Sequence, residues 1–260
     1  MRSEPDNTEA IRESFGKQAA DFEGKSMSFS KKEYLEYTVR SIEPSETDSV
    51  LEVAAGTCAC GRAIAPYAST VTCLDLTAAM LEVGRREAES EGLHNMVFVL
   101  GNAEELPFLD GSFDIVVTRL ALHHFPDVSR PMDEMVRVLR PGGRLVIIDM
   151  EATEEELRER RDEIETLRDP SHVRVLSTME IRELLEARSV EVYTSEVTPI
   201  SVSLDSWMDL TKVDPETRET IVSAMRRDID GGDPTGFHPY EKESSIYFDQ
   251  RWALVIGTKV

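Results

Sequence analysis

Val50 to Met80 reads VLEVAAGTCACGRAIAPYASTVTCLDLTAAM, and its order of apolar, small and acidic residues decides the fold. Ser49-Val50-Leu51-Glu52-Val53 is a short apolar run of the kind a buried parallel strand shows. A turn of small residues, Ala54-Ala55-Gly56-Thr57, follows it, then a helical segment to about Tyr67. A second apolar run, Thr70-Val71-Thr72-Cys73-Leu74, ends on Asp75. Strand, tight turn, helix, strand and terminal acid form the opening βαβ unit of a nucleotide-binding sheet. Small residues let the backbone approach a ligand, and an acid at the second strand's end accepts both hydroxyls of a ribose. The turn alone is not specific. Of the three glycines usual in such a unit only Gly56 is present, and a tight βα turn serves any α/β protein.

Composition bounds the rest. A chain of 260 residues holds one large domain or two small ones, and 40% hydrophobic with 30% charged residues reads as soluble and globular. Lys and Arg number 29 against 50 Asp and Glu, a net charge of −21. That balance repels phosphate backbones and anionic membranes, so no nucleic acid is expected as partner and a cationic ligand is mildly favoured. Adaptation for solubility or salt explains the same charge. Cys58, Cys60 and Cys73 make neither a disulfide framework nor zinc spacing, so no metal is expected and a reducing cytoplasm fits. The start, MRSEPDNTEA, has no apolar signal region, and no run approaches membrane-spanning length.

In chain order, Glu9 to about Phe22 reads as a helix and Phe29 to Ile42 as a second, with Ser28 or Ser30 as N-cap. These helices, within residues 1–45, either pad the sheet or lid the pocket, and Phe15, Phe22 and Phe29 read as core. Thr77 caps a helix to about Glu91 with Ala78, Leu81 and Ala88 on its apolar side, and Gly92 stops it. Asn95–Leu100 is a third strand, Phe113–Thr118 a fourth and Arg144–Asp149 a fifth. A helix from Val128 to Leu139 and a turn at Pro141-Gly142-Gly143 separate the last two. Strands alternating with helices imply a parallel sheet covered on both faces. Its ligand belongs at the carboxyl ends of the strands, which points to Ala54–Cys58, Asp75–Leu76, Gly101–Glu104 and Arg119–His124.

These segments resemble a class I S-adenosylmethionine-dependent methyltransferase, most nearly the ubiquinone and menaquinone biosynthesis C-methyltransferases. LEVAAGT is similar to that family's first motif and LDLTAAML to its second. GNAEELPFLDGSFDIVVT is similar to the third and fourth, and EMVRVLRPGGRLVIID to the strand-five motif. The resemblance covers about Phe15 to Met150. It implies one Rossmann-like domain over residues 1–260, with a seven-stranded, mostly parallel sheet whose last strand is antiparallel. It also implies S-adenosylmethionine as cofactor. Glu52 and Ala54, Ala55, Gly56 and Thr57 would meet its methionine part, and Asp75 the ribose, with Leu76 on the adenine face. Asn102 and Ala103 would sit at the adenine edge and the Arg119 backbone near the methionine. Two departures stand out. Ala54 is tolerated if its φ is negative. Cys58 stands where the family has glycine, and a positive φ there would strain it, narrow the pocket or rearrange the turn.

Beyond Asp149, Glu154–Leu167 reads as a charged, solvated helix, Thr178–Ala187 as another helix, and Val190–Val197 as strand six. Ser206–Lys212 and Pro215–Ile229 are helical, and Ser245–Val260 is the closing strand. Residues 201–243 then form a helical insertion over the active-site face. Methyl transfer needs in-line geometry and exclusion of water, and a base only where the acceptor must lose a proton. His172 in DPSHVR is the candidate base, with a local turn-capping role as the alternative. His123 and His124, read as one packing and one exposed residue, and His238 and Tyr240 are candidate substrate contacts. The expected activity is methyl transfer to a small-molecule acceptor. A cofactor-binding protein without catalysis is the second reading. A nicotinamide-dependent dehydrogenase is the third, disfavoured by a turn poor in the glycines a pyrophosphate needs.

Overall fold

The computed structural model describes residues 7–19, 22, 32–152 and 154–260. Two helices, α1 (Thr8–Gln18) and α2 (Lys32–Ile42), precede the sheet, and the expected caps Ser28 and Ser30, with Phe29, lie outside the described residues. The sheet-forming run is β1 (Ser49–Val53), α3 (Ala59–Ile64), β2 (Thr70–Asp75), α4 (Ala78–Ser90), β3 (Met96–Leu100), β4 (Phe113–Arg119), α5 (Ser129–Val138) and β5 (Leu139–Met150). The second half holds α6 (Glu155–Arg168), α7 (Thr178–Glu186), β6 (Val190–Ser203), α8 (Leu204–Leu210), α9 (Pro215–Ile229), β7 (Tyr240–Lys242) and β8 (Ser245–Lys259).

The strand order is β3-β2-β1-β4-β5-β8-β6, with the three-residue β7 paired to β8 as an eighth strand. β3, β2, β1, β4 and β5 run parallel, and β8 lies antiparallel between β5 and β6. The chain starts at β1, winds outward to β3 and returns to β4, so the sheet's switch point falls between β1 and β4. The crevice there is where a doubly wound sheet takes its ligand.

Burial on both faces explains why the strands read as continuous apolar runs. Leu51, Val53, Val116 and Leu145 face α5 and α7 through Met132, Met135 and Ile181. Val50, Val71, Ile115 and Val146 face the other way, against Ile64 and Ile42. Each such fully buried side chain stabilises the fold by about 1.5–3 kcal/mol. A third core of Met150, Ile164, Trp207, Met225, Phe237 and Phe248 joins α6, α8, α9 and the outer half of β8.

Several local expectations change. Thr77 sits at the N-cap of α4 but makes no side-chain cap bond; its N–H donates to Asp75 Oδ1 at 2.7 Å. Ala78 is exposed, and Met80 and Gly84 complete the buried face with Leu81 and Ala88. Pro141-Gly142-Gly143 lies inside β5 as a bulge: Phe113 pairs Leu139 and Ile115 pairs Arg144. β6 runs on to Ser203, pairing Tyr247 of β8, whereas β5 leaves β8 at Trp252. The β6–β8 ribbon therefore projects past the carboxyl end of the sheet. Helix α6 is not a solvated face. It buries Arg158, Arg161, Ile164 and Glu165, with Arg158 paired to Glu180 at 2.8 Å and the Arg161 guanidinium 5.2 Å over the Phe237 ring.

Candidate active site

The carboxyl ends of β1, β2 and β4 open into a cavity of about 530 Å3. Glu52, Ala54, Ala55, Gly56, Thr57, Asp75, Leu76, Asn102, Ala103 and Arg119 all line it, so the structure brings together every residue expected to hold the cofactor. The β1–α3 turn is tightly fixed. Ala55 N–H donates to Leu74 O at 3.0 Å, Cys58 N–H to Ala55 O at 2.8 Å and Gly56 N–H to Asp75 Oδ2 at 2.8 Å.

That geometry demands left-handed backbone: φ is 53° at Ala54, 54° at Gly56 and 59° at Cys58. The condition under which alanine is easily tolerated at Ala54, a negative φ, is not met. A left-handed residue with a Cβ costs about 1–2 kcal/mol, so the surroundings must over-determine the turn. At Cys58 the strain is present but the cavity is not narrowed. The thiol packs toward α4, where a Cβ on Gly84 would lie 2.8 Å from Cys58 Sγ and 2.7 Å from Thr57 O. Gly84 makes room for the cysteine that replaces a glycine.

Two buried carboxylates mark this end. Glu52 Oε2 accepts the Gly61 N–H at 2.8 Å, and burial pushes its pKa up to about 7. Asp75 accepts one backbone N–H on each oxygen, from Gly56 and Thr77, and burial raises its pKa as well. A carboxylate oxygen has two acceptor directions, so each Asp75 oxygen keeps one for a hydroxyl. A vicinal diol beside a small-residue turn, with a cationic amine or sulfonium near Glu52, fits this donor and acceptor set.

Past β4 the chain reverses at Leu120, whose φ is 54°. The buried Asp149, at the end of β5, organises the turn from Ala121 to His123. Its Oδ2 accepts the N–H groups of Ala121 at 3.0 Å and Leu122 at 2.6 Å, and its Oδ1 lies 2.6 Å from His123 Nδ1. Both His123 and His124 are buried and both line the cavity, which replaces the expected pairing of one packed and one exposed ring. Their environments push them apart. Burial opposes charge on His123, but the Asp149 carboxylate outweighs it and raises the pKa. His124 is pushed down to about 3, first by its burial and then by His123 beside it.

His172 is not brought to the cavity. It is buried with Nε2 2.8 Å from Asp162 Oδ1, behind His123 at a ring distance of 5.6 Å. His238 is exposed and meets Glu154 at 2.9 Å, and Tyr240 Oη sits 2.8 Å from Ser201 Oγ and 2.9 Å from Asp249 Oδ1. Neither lines the cavity. Conversely Phe15 and Phe22, expected in the core, stand on its wall.

Residues 51–147 match a family described as a methyltransferase domain. The uncharacterized methyltransferase YcgJ of Bacillus subtilis (strain 168) is 32% identical over 203 residues, 78% of this chain and 80% of that protein. The chain belongs to the methyltransferase family. Its fold and relatives make it a class I S-adenosylmethionine-dependent methyltransferase. The crystal structure of YcgJ superposes with a TM-score of 0.79 at 29% identity, covering 88% of this chain and 99% of that one. A demethylmenaquinone methyltransferase of Listeria welshimeri is 48% identical over 79 residues, 30% of this chain and 34% of its own. Geranyl diphosphate methyltransferase, solved in complex with SAM, shares the fold at a TM-score of 0.62 and 15% identity.

The methyltransferase has a further wall that no motif announced. Ile11, Phe15, Gln18 and Phe22, with Arg168, Asp169, Val202, Trp207, Leu210, Gln250 and Trp252, close the cavity from outside the matched family segment. Only Asp149 carried a readable signal, as an acid at a strand's end like Asp75. The others come from separate elements and meet only in three dimensions.

Proposed function

We propose that this methyltransferase binds S-adenosylmethionine between the β1–α3 turn and Asp75, and transfers its methyl to a small organic acceptor seated against the aromatic wall. The observation that carries this reading is one cavity lined by two buried carboxylates, a fixed small-residue turn and the rings of Phe15, Trp207 and Trp252. Bound there, the cofactor supplies an electrophilic methyl group on a sulfonium. Asp75 holds the ribose hydroxyls, Leu76 covers an adenine face, and Asn102 and Ala103 meet its edge. Glu52 faces the cationic methionine part, and the turn fixes its depth. The aromatic wall excludes water from the transfer line.

His123 takes the place proposed from sequence for His172. With Nδ1 held by Asp149, its Nε2 is the atom that exchanges a proton with an acceptor that must lose one. A negative surface and a cavity of this size suit a small molecule better than nucleic acid, and three free buried cysteines suit a reducing cytoplasm. Among the described residues no helix is long and apolar enough to cross a membrane.

Methyl-tritiated S-adenosylmethionine, incubated with the protein and a cell extract split into small-molecule and macromolecular fractions, tests the acceptor class. Label is expected in the small-molecule fraction, and lost with His123→Ala while S-adenosylhomocysteine still binds. Enzyme-dependent label confined to the RNA or protein fraction would overturn the small-molecule reading.

A further inference from the structure

The wall built outside the family segment holds hydrogen-bond donors with nothing to donate to. Trp207 of α8 is 5% exposed and lines the cavity, and its indole N–H has no hydrogen-bond partner among the described residues. The Trp252 indole on the same wall is different, since it donates to Gln250 Oε1 at 2.9 Å. Arg168 of α6, also on the wall, has a side chain only 11% exposed and stacks its guanidinium 4.8 Å over the Trp207 ring. A guanidinium carries five N–H donors; Glu165 engages one terminal nitrogen at 3.2 Å, and the buried Nε is left unmet among the described residues.

The side chains of Gln250, His124 and Asp169 on the same wall are already matched. Gln250 donates to Met150 Sδ and accepts from Trp252, while His124 and Asp169 are both engaged with Ser171. Glu165 Oε1 is also buried without a partner among the described residues, but it is not on the cavity wall; on the wall itself the unmet groups are donors, the Trp207 N–H and Arg168 Nε. Buried N–H groups left unpaired are expensive, and a ligand oxygen that meets both recovers that loss. Phe15 and Trp252 line the same cavity as Trp207, and rings on its wall favour a flat apolar body.

We propose that the acceptor of this methyltransferase is a flat, apolar molecule ending in an anionic oxygen, held by Arg168 and Trp207; the assignment of the corner as an acceptor site rests on the function proposed above. The net charge of −21 and the Glu165 carboxylate paired to Arg168 both work against an anion, so its recognition rests on direct N–H donation from the guanidinium and the indole in a buried site. Arg168 and Trp207 thus set specificity, while the turn and Asp75 serve the cofactor.

Calorimetric titration with 2-naphthoate and its neutral partner 2-naphthylmethanol tests this, on the protein alone and on the protein carrying S-adenosylhomocysteine. The carboxylate is expected to bind about tenfold more tightly, the difference one charge-assisted contact makes. Arg168→Leu should bring the two probes to equal affinity, and Trp207→Phe, which keeps the ring and removes the N–H, should narrow the gap. Both variants should retain wild-type affinity for S-adenosylhomocysteine, which also shows that they are folded. Equal affinity of the two probes in the wild-type protein, or a preference for the carboxylate unchanged in both variants, would overturn the proposal. Failure of S-adenosylhomocysteine to bind, with the preference for the carboxylate intact on the bare protein, would instead remove the methyltransferase reading and leave the anion site standing.

Discussion

In the proposed site, Glu52 is the residue at which charge and cofactor would meet most directly. Burial lifts its pKa from 4.5 to about 7, so the folded protein holds this proton more tightly than the unfolded chain. Its contribution therefore favours folding below that window and is lost as pH rises through about 7. A cationic cofactor needs the carboxylate ionised. Affinity for S-adenosylmethionine should accordingly rise between about pH 5.5 and pH 8, with proton release on binding below the midpoint. Calorimetry in buffers of different ionisation enthalpy reads both, and Glu52→Gln should flatten the profile. A flat profile in the wild-type protein would place the cation elsewhere. Gly84 is the second decisive residue. Its missing side chain admits Cys58 Sγ and Thr57 O, so Gly84→Ala should destabilise the fold by about 1–3 kcal/mol and weaken S-adenosylhomocysteine binding as the turn is displaced. Thermal denaturation with and without the ligand checks this, and an unchanged melting temperature would contradict it.

At the scale of elements, the sequence announced those whose environment is uniform. β1, β2, β4 and the inner part of β5 are buried on both faces and therefore read as unbroken apolar runs. Helix α6 hid its role because the side chains it buries are arginines and a glutamate, matched by Glu180, Glu151 and the rings of Phe237 and Trp207. Those partners are distant in sequence, so the pattern looked solvated. The α7 start was legible as a helix but not as a device. Ser177 and Glu180 form a reciprocal capping box, and Glu180 also holds Arg158 and Arg174. Ser177→Ala should cost about 1 kcal/mol, seen as a lower urea midpoint at unchanged m-value. No change in midpoint would mean that the arginine pairs alone fix this end.

Across the whole molecule, the cofactor side was written in local motifs and the acceptor side was not. Ala54–Thr57 and Asp75 lie within a few residues of their strands, whereas Phe15, Arg168, Trp207 and Trp252 converge from α1, α6, α8 and β8. The β6–β8 ribbon that carries part of this wall extends past β5, a length that periodicity did not disclose. The charge of −21 is likewise a property of the whole surface. Self-repulsion weakens the compact state, so melting temperature should rise with sodium chloride from about 0.02 M to about 0.5 M as screening lengths shorten. A fall over that range would show that attractive surface pairs such as Arg137 with Glu134 and Asp110 outweigh the repulsion.

The central claim is that the turn after β1 and the acid ending β2 hold S-adenosylmethionine. Isothermal titration with S-adenosylmethionine and S-adenosylhomocysteine, beside Asp75→Ala, tests it most directly. Micromolar-range binding of both ligands is predicted, about −8 kcal/mol, lost in the variant whose ribose acceptor is gone. Absence of heat and of any thermal shift with either ligand, or binding that Asp75→Ala leaves untouched, would contradict it.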